Sequence, residues 1–317
     1  MHPCVKSHTE VTICESQVVG CHWAALAARQ HPTALSKNCI ILTEEGRRAI
    51  VPINMRFISL LTDFGLKDGY VGVMKGVIWG IAPQAQIADI THLIRPQNVL
   101  EGALVLGRAA PYFPAGTIHV AVVDPGVGTL RRPIAARLGE QIFVGPDNGL
   151  CTVVVDQARQ AGSPAQFIHL DQPYYWLPEI SHVFHGRDIF SPVAAHLLNG
   201  VPLEALGTPI EDPLLLDLPK PERTAQGWCG QVLLVDAFGS LSTNLSAQHI
   251  ADVKTCVVRI ARREIQGLVK TFGERQPGEL VAMLDSSGML SICTVNGSAE
   301  SQLGAQMGDP VEIVQQQ

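Results

Sequence analysis

Hydrophobic and polar positions alternate along the first two-thirds of the chain in a way that predicts strands and helices in turn. Residues 57–62 and 117–123 are continuous apolar and β-branched runs, which predict buried strands. Apolar residues recur at the helical period over 68–81 and 98–110. This alternation predicts an α/β fold with a mainly parallel sheet flanked by helices. The other predicted elements of this region are strands at 87–90 and 167–170, a hairpin of 133–138 with 141–144, and helices at 149–157 and 188–199.

The pattern changes after residue 208. Residues 209–227 contain four prolines among several acidic residues, which is typical of a linker. Residues 228–317 contain short apolar segments at close spacing, which predict a C-terminal antiparallel β-barrel domain. We therefore expect an α/β N-terminal domain over 56–208, this linker, and the barrel. The predicted barrel strands are 228–235, 240–245, 255–260, 267–271, 280–284, 289–295 and 310–314.

Residues 1–55 show weak periodicity and no clear turn chemistry. We interpret them as a poorly ordered extension, with Met55 as the functional start. Cysteines and histidines are interspersed in the first 40 residues, but no Cys-x-x-Cys pair occurs, so we expect no metal there. The later cysteines lie in apolar segments and are predicted core residues: Cys151, Cys229, Cys256 and Cys293.

Composition and charge exclude several classes of protein. Hydrophobic residues make up 46% and charged residues 16% of the 317 residues, which predicts a globular protein with a substantial core. The net charge of −6 creates no strong attraction to nucleic acid or to an anionic membrane. Apolar runs fall short of the roughly 18 residues of a membrane span, and the N-terminus lacks signal-peptide order. We therefore expect a cytoplasmic protein.

The strand predicted at 117–123 is followed directly by an acidic residue. Asp124 is followed by Pro125, two glycines and Arg131. Open α/β sheets build ligand sites at the carboxyl ends of strands, and glycines let a substrate approach the backbone. A structural ion pair between Asp124 and Arg131 is the alternative. The segment does not match a dinucleotide fingerprint, because Arg131 occupies the position of the third glycine.

Two other segments place polar groups where chemistry could use them. The first predicted strand ends at Asp63, whose carboxylate could accept both hydroxyls of a ribose; a helix N-cap is the alternative. His185 precedes a glycine and the start of a predicted helix, beside Arg187 and Asp188. This position favours acid–base chemistry over the alternative of a satisfied core or surface histidine.

Four segments together resemble one family. They read Leu-Thr-Asp-Phe-Gly at 61–65, Asp-Pro-Gly-Val-Gly-Thr at 124–129, Pro-Asp-Asn-Gly at 146–149 and Phe-His-Gly-Arg-Asp at 184–188. Their order and spacing resemble those of the S-adenosylmethionine (SAM) hydroxide adenosyltransferases, adenosine-forming SAM hydrolases related to fluorinase and chlorinase. The resemblance extends from about residue 57 to residue 315 and leaves residues 1–55 outside it.

The resemblance implies a homotrimer that holds substrate between the N-terminal domain of one subunit and the barrel of its neighbour. It also implies an Asp–Arg–His triad that positions and activates water, which maps to Asp124, Arg131 and His185. The ribose-binding acid maps to Asp63. The other implied substrate-binding residues are Phe64, Asp236, Phe238, Ser240, Ser286, Ser287, Asn296 and Ser298.

One position departs from the family pattern. Ser240 stands where family members usually carry an asparagine that binds the adenine edge. A hydroxyl is shorter and has one donor, so adenine is held by backbone groups and water, or with lower affinity. The loss of a single hydrogen bond costs on the order of 1 kcal/mol.

The expected activity is therefore hydrolysis of S-adenosyl-L-methionine to adenosine and L-methionine, with no cofactor and no metal. Fluorinase-like relatives place an uncharged residue where Asp124 stands, so we expect no useful halogenase activity. A non-catalytic protein that binds SAM or adenosine is the main alternative. A nicotinamide oxidoreductase is disfavoured by the missing glycine fingerprint.

Overall fold

The structure is a computed structural model that describes residues 38–42, 48–52, 57–250 and 255–315. The chain divides into two units, Met1–Asn54 and Met55–Gln317. In the first unit, strands β1 (Asn38–Leu42) and β2 (Arg48–Pro52) pair antiparallel. Apart from this hairpin, the predictions of a poorly ordered extension and of no metal in residues 1–55 lie outside the described residues.

The apolar runs of the N-terminal half form the centre of a seven-stranded sheet. Its order is β4-β3-β5-β7-β6-β8-β9, with parallel pairing from β4 to β7 and antiparallel pairing beyond. The central strands β3 and β5 are almost wholly buried, as expected for strands covered on both faces. The predicted α/β fold is thus confirmed. The strands are β3 (Phe57–Thr62), β4 (Gln86–Thr91), β5 (Ile118–Val122), β6 (Pro133–Leu138), β7 (Gln141–Pro146), β8 (Ala165–His169) and β9 (Thr208–Ile210).

Helices cover both faces of this sheet. They are α1 (Tyr70–Ile81), α2 (Val99–Ala109), α3 (Thr152–Gln160) and α4 (Ser191–Leu198). Adjacent residues of β3 point to opposite faces, so Leu60 packs in the cluster formed by α1 and α4, whereas Leu61 packs in that of α2 and α3. Two helices begin three residues later than predicted: Gly149 turns at φ +92° before α3, and a π-helical turn, Gly186–Phe190, precedes α4.

The C-terminal part forms an antiparallel, nearly closed barrel, as predicted. Its strand order is β14-β13-β17-β11-β12-β16-β15, with β10 paired to β11. Closure is assisted where the chain after β14 meets β15, since the Val269 N–H donates to the Ala282 carbonyl at 3.0 Å. The elements are β10 (Glu222–Thr224), β11 (Gly227–Val235), β12 (Leu241–Ser246), β13 (Cys256–Ile260), β14 (Arg263–Gln266), β15 (Leu280–Leu284), β16 (Met289–Thr294), α5 (Ala299–Leu303) and β17 (Pro310–Gln315).

The prediction of a strand at 267–271 is wrong, because the strand lies at β14 instead. Ala261 and Arg262 both have positive φ and make a two-residue turn, which brings Arg263 opposite Ile260. Neither residue is a usual choice for such a turn, so the sequence gives no hairpin signal there. Helix α5 was also not predicted; it is capped by the Ser298 hydroxyl, which accepts the Ser301 N–H.

The segment predicted as a linker, 209–227, contributes to both sheets at its ends. It contains most of β9, and β10 pairs with the start of β11. Of the later cysteines, Cys151, Cys256 and Cys293 are buried and Cys229 is half-buried. Within the described residues, no helix combines the length and apolar character that crossing a membrane requires.

We predict that Gly107→Ala lowers the free energy of unfolding by about 1–3 kcal/mol, because overpacking a core forces its neighbours to shift. A Cβ at Gly107 would lie 2.2 Å from Val153 Cγ1, where α2 packs on α3. The matched control is Gly76→Ala on the exposed face of α1, which has open space and should gain about 0.5–1 kcal/mol. Urea denaturation measures both. Equal stability changes in the two variants would contradict this account of the packing.

Candidate active site

The carboxyl ends of two neighbouring parallel strands bring two predicted acidic residues to one edge of the sheet. Thr62 at the end of β3 is in register with Val122 at the end of β5. Asp63 is the first residue after β3, and Asp124 is the second residue after β5. Both carboxylates line a cavity of about 350 Å³. Other residues that line it are Phe64, Pro96, Gln97, Phe184, His185 and Gly186.

A glycine turn returns the chain after Asp124 toward the same place. Gly128 has φ +76°, and a Cβ there would lie 2.2 Å from the His182 carbonyl oxygen. Only glycine accommodates both the left-handed backbone and this close contact. The turn brings Arg131 back against Asp124, with Nε donating to Oδ1 at 3.1 Å and Nη2 to Oδ2 at 2.5 Å. Their side chains are only 7% and 4% exposed, so the pair is buried.

The third member of the predicted triad comes from a separate loop. Arg131 Nη2 lies 3.1 Å from His185 Nδ1. The loop that carries His185 is held by Asp188, which is fully buried and accepts the Ser181 N–H at 2.8 Å. Arg187 also donates to Asp188. The structure therefore brings Asp124, Arg131 and His185 together, with the guanidinium between the carboxylate and the imidazole.

Burial shifts the pKa values of this cluster in opposite directions. Loss of solvent raises the pKa of Asp124 above its usual value, although the Arg131 charge opposes the shift. Burial and then the positive charge of Arg131 lower the pKa of His185, against the opposing effect of Asp124. A guanidinium can only donate hydrogen bonds, so Nδ1 of the neutral imidazole is the acceptor and Nε2 carries the proton. His185 thus offers an N–H donor, and Asp124 offers carboxylate oxygens that can accept a hydrogen bond.

The Asp63 carboxylate accepts a hydrogen bond from a loop N–H and does not cap a helix. Its Oδ2 accepts the Gln97 N–H at 2.8 Å, and Gln97 has a left-handed φ of +65°. The alternative of an N-cap is wrong, since α1 is preceded by Gly69, which makes no side-chain capping bond. Gln97 was missed by the sequence reasoning, because a left-handed glutamine has no sequence signal.

A chain of polar groups that begins at the buried Thr62 and His92 supports the loop that contains Asp63. Thr62 Oγ1 accepts the Phe64 N–H at 3.2 Å and lies 2.9 Å from His92 Nδ1. His92 Nε2 lies 3.1 Å from Asp89, which accepts a hydrogen bond from Lys75 at 2.7 Å. The threonine hydroxyl therefore donates to Nδ1 and the other ring nitrogen faces the carboxylate. This arrangement fixes the position of the segment after β3.

Four of the predicted barrel residues line a different cavity, of about 660 Å³, between α2 and the barrel strands. Asp236, Ser240, Ser286 and Ser287 belong to its lining, together with Arg108 and Asp285, which were not predicted. In one chain, the residues from the α/β part and those from the barrel therefore line two separate cavities.

Phe238, Asn296 and Ser298 lie outside the lining of that cavity. They belong to two turns that pack together, since a Cβ at Gly239 would lie 2.1 Å from Ser298 Oγ. Asp236 shapes the first turn by accepting the N–H groups of Phe238 and Ser240 at 2.9 and 2.8 Å. The Phe238 side chain is 81% exposed, so an aromatic ring stands in solvent beside the cavity.

Among the described residues, no group of three or more His, Cys, Asp or Glu side chains is placed to hold a metal ion. Asp124 and His185 both contact the Arg131 guanidinium, which supplies the positive charge between them.

Comparison with known proteins connects this geometry to one family. The model of the SAM hydroxide adenosyltransferase N-terminal domain matches residues 58–207, and that of the C-terminal domain matches residues 230–312. An (R)-S-adenosyl-L-methionine hydrolase from Salinispora tropica is 40% identical, over 81% of this chain and 97% of the relative. A fluorinase from Nocardia brasiliensis is 25% identical, over 86% of this chain and 98% of the relative.

A solved structure shows the same fold. The crystal structure of an uncharacterized conserved protein from Thermotoga maritima aligns with a TM-score of 0.76 at 39% sequence identity. The alignment covers 81% of this chain and 100% of that protein.

We predict that His185 titrates below the usual histidine value of 6.5 and carries its neutral proton on Nε2. Arg131→Gln should raise the pKa of His185, because the variant removes a neighbouring positive charge and leaves Asp124 in place. Imidazole nitrogen shifts followed by NMR against pH measure both the tautomer and the pKa. His119, whose pKa burial lowers to about 4, is the internal control and should not move. A proton on Nδ1, or an unchanged His185 pKa in the variant, would refute this hydrogen-bond assignment.

Proposed function

This chain belongs to the SAM hydroxide adenosyltransferase family, and on that basis we propose that it hydrolyses S-adenosyl-L-methionine to adenosine and L-methionine. The buried Asp124–Arg131–His185 cluster beside Asp63 is the observation that carries the proposal. The Salinispora relative is named for the R sulfonium epimer, so we propose that epimer as the preferred substrate.

The chemistry requires an activated nucleophile and little else. Water forms a bond to the ribose C5′ while the C5′–S bond breaks, and the bonding pair neutralises the sulfonium. Methionine leaves as an uncharged thioether and needs neither an acid nor a cofactor. The water loses its proton to Asp124, which the raised pKa makes a better acceptor than an ordinary aspartate. Arg131 holds that carboxylate in place.

Substrate position is set by the remaining groups of the cavity. Asp63 accepts the ribose hydroxyls, and its attachment to Gln97 fixes the ribose relative to Asp124. His185 donates Nε2–H to the oxygen that attacks. In-line placement of oxygen, carbon and sulfur contributes several kcal/mol, on the order of 7–11 in well-oriented systems.

The same carboxylate disfavours halide chemistry. A halide about 4 Å from the Asp124 carboxylate would be repelled by about 4 kcal/mol at an effective dielectric constant of 20. Hydrolysis therefore takes precedence over halogenation at this site, despite the similarity to fluorinase.

We also propose a homotrimer in which each site combines the α/β cavity of one subunit with the barrel of its neighbour. Two observations support the proposal. The two sets of candidate residues line separate cavities in one chain, and Phe238 is exposed beside the barrel set. Phe238 does not stand alone, because Tyr112 and Phe272 in the lining of that cavity are also exposed, and grouped exposed apolar residues are typical of a surface that a partner covers.

Purified protein mixed with the separated R and S epimers of SAM, in the presence of chelator, should release adenosine and methionine and favour the R epimer. Asp124→Asn preserves shape but removes the proton acceptor, so kcat should fall by about 10²–10⁴-fold with a smaller change in KM. Product chromatography measures both quantities.

The matched control is Asp147→Asn, which alters another buried aspartate that is paired with an arginine, Arg132, outside the cavity. This variant should keep kcat per folded molecule. Tight binding without turnover in the unaltered protein would favour the non-catalytic alternative, and full activity of Asp124→Asn would refute the role of Asp124.

The shared site can be tested by mixing subunits. Asp124→Asn and Asp236→Ala should each be nearly inactive alone, since each disables one half of every site. Equimolar co-refolding should restore about a quarter of normal activity. In a randomly mixed symmetric ring, about a quarter of the sites combine a subunit that keeps Asp124 with a neighbour that keeps Asp236. Activity no greater than the mean of the two parents would show that each site lies within one chain.

A further inference from the structure

Strand β3 carries two buried hydroxyl groups, and each of them faces the Nδ1 atom of a buried histidine. Ser59 Oγ lies 2.6 Å from His119 Nδ1 within the sheet. Thr62 Oγ1 lies 2.9 Å from His92 Nδ1 at the carboxyl end of the strand. All four side chains are buried. The two pairs have the same chemistry, but the second adjoins Asp63, which is the next residue along the chain.

His92 holds the turn after β3 on both sides of Asp63. Its carbonyl accepts the Gly65 N–H at 2.8 Å, and its Nδ1 contacts Thr62. Thr62 Oγ1 in turn accepts the Phe64 N–H at 3.2 Å. Gly65 has φ +71°, a left-handed conformation that favours glycine. One histidine at the end of the neighbouring strand therefore fixes the turn before and after the carboxylate.

An irregularity in β4 gives His92 a charged partner. Leu60 is in register with Asp89, but Leu61 is in register with Thr91, so one extra residue of β4 lies between them. Residues three apart on a regular strand point to opposite faces, and an extra residue redirects the side chains that follow it. In this strand His92 Nε2 lies 3.1 Å from Asp89 Oδ1.

A lysine of α1 keeps Asp89 in its charged form. Asp89 Oδ2 accepts a hydrogen bond from Lys75 Nζ at 2.7 Å. Burial alone would raise the pKa of Asp89, but the contacts with Lys75 and His92 outweigh burial and lower the pKa. A carboxylate on one side and a hydroxyl donor on the other select one tautomer of the imidazole, in which Nε2 carries the proton and Nδ1 accepts. Charges outside the cavity thus set the orientation of His92.

We propose that His92 is a positioning residue for ribose recognition, which acts through Thr62 on the Asp63 carboxylate. Neither His92 nor Thr62 lines the cavity that contains Asp63, so both act at one remove from the ligand. The proposal rests on the proposed function for the ribose as that ligand. Hydrogen bonds weaken steeply as they lose alignment, so a carboxylate that accepts two ribose hydroxyls must be held accurately. Gln97 N–H holds its Oδ2, and His92 holds the backbone that carries it.

The test compares the affinities of adenosine and 2′,3′-dideoxyadenosine, which lacks both ribose hydroxyls, by calorimetry. The unaltered protein should bind adenosine more tightly by about tenfold or more, in line with hydrogen bonds to a charged acceptor. Thr62→Val keeps the branched shape but removes the hydroxyl, so it should reduce this ratio of affinities by about three- to tenfold. Thr62→Ser keeps a hydroxyl and should retain most of the ratio.

Ser59→Ala is the matched control, because it removes the hydroxyl of the other pair on β3. This variant should lower the free energy of unfolding and leave the ratio unchanged. In protein that already carries Asp63→Ala, Thr62→Val should cause no further change in the ratio, since the carboxylate through which it acts is gone. An unchanged ratio in Thr62→Val alone would mean that the pair only stabilises the sheet, and would overturn the proposal. So would an unaltered protein that does not discriminate between the two nucleosides.

His92→Gln gives the same test where Thr62→Val does not fold. It retains an N–H for Asp89 but removes the Nδ1 acceptor of Thr62, so the ratio should again fall. A ratio equal to that of the unaltered protein would overturn the proposal.

These binding measurements separate the positioning role of His92 from the proposed function. A fall in the ratio supports the role even where SAM is not hydrolysed. An unchanged ratio overturns it even where hydrolysis is confirmed.

Discussion

The buried contact between Asp124 and Arg131 is the interaction on which the site depends. An isolated carboxylate with 4% exposure would carry a desolvation penalty of several kcal/mol, which the guanidinium largely offsets. Burial still prevails, since the pKa of Asp124 remains above its usual value. The pair thus keeps a carboxylate in a dry position while leaving it more basic than a solvated one. That combination is what a group must have to take a proton from water.

The rest of the α/β part serves this pair. Gly128 allows the turn that returns Arg131, and Asp188 holds the loop that carries His185. Arg131 joins the two loops through a single guanidinium, so it acts as a structural link as well as an electrostatic partner. The parallel register of β3 and β5 then places Asp63 at the same edge of the sheet. The triad candidates and Asp63 therefore share one rigid support.

Local patterns were sufficient to predict much of this arrangement. The continuous apolar strands predicted the sheet, and they placed Asp63 and Asp124 each at the carboxyl end of a strand, where open α/β sheets build their sites. The grouping with His185 came from the resemblance, because no local pattern links positions 54 residues apart. The sequence could not reveal the left-handed Gln97, the turn at Ala261 and Arg262, or the buried His92. Each depends on backbone geometry or on contacts made only in the folded chain.

The two sets of candidate residues lie in different parts of the fold. Asp63, Asp124 and His185 line the cavity at the sheet edge, whereas Asp236, Ser240, Ser286 and Ser287 line the cavity between α2 and the barrel. In the proposed trimer the first set comes from one subunit and the second from its neighbour, so the two halves of a site have separate structural support.

Attack of solvent on the ribose carbon is tested most directly by turnover in water enriched in oxygen-18, followed by mass spectrometry of both products. The account predicts one heavy oxygen in adenosine, at the 5′ position, and none in methionine. Adenosine without the label would contradict attack by a water molecule held at Asp124.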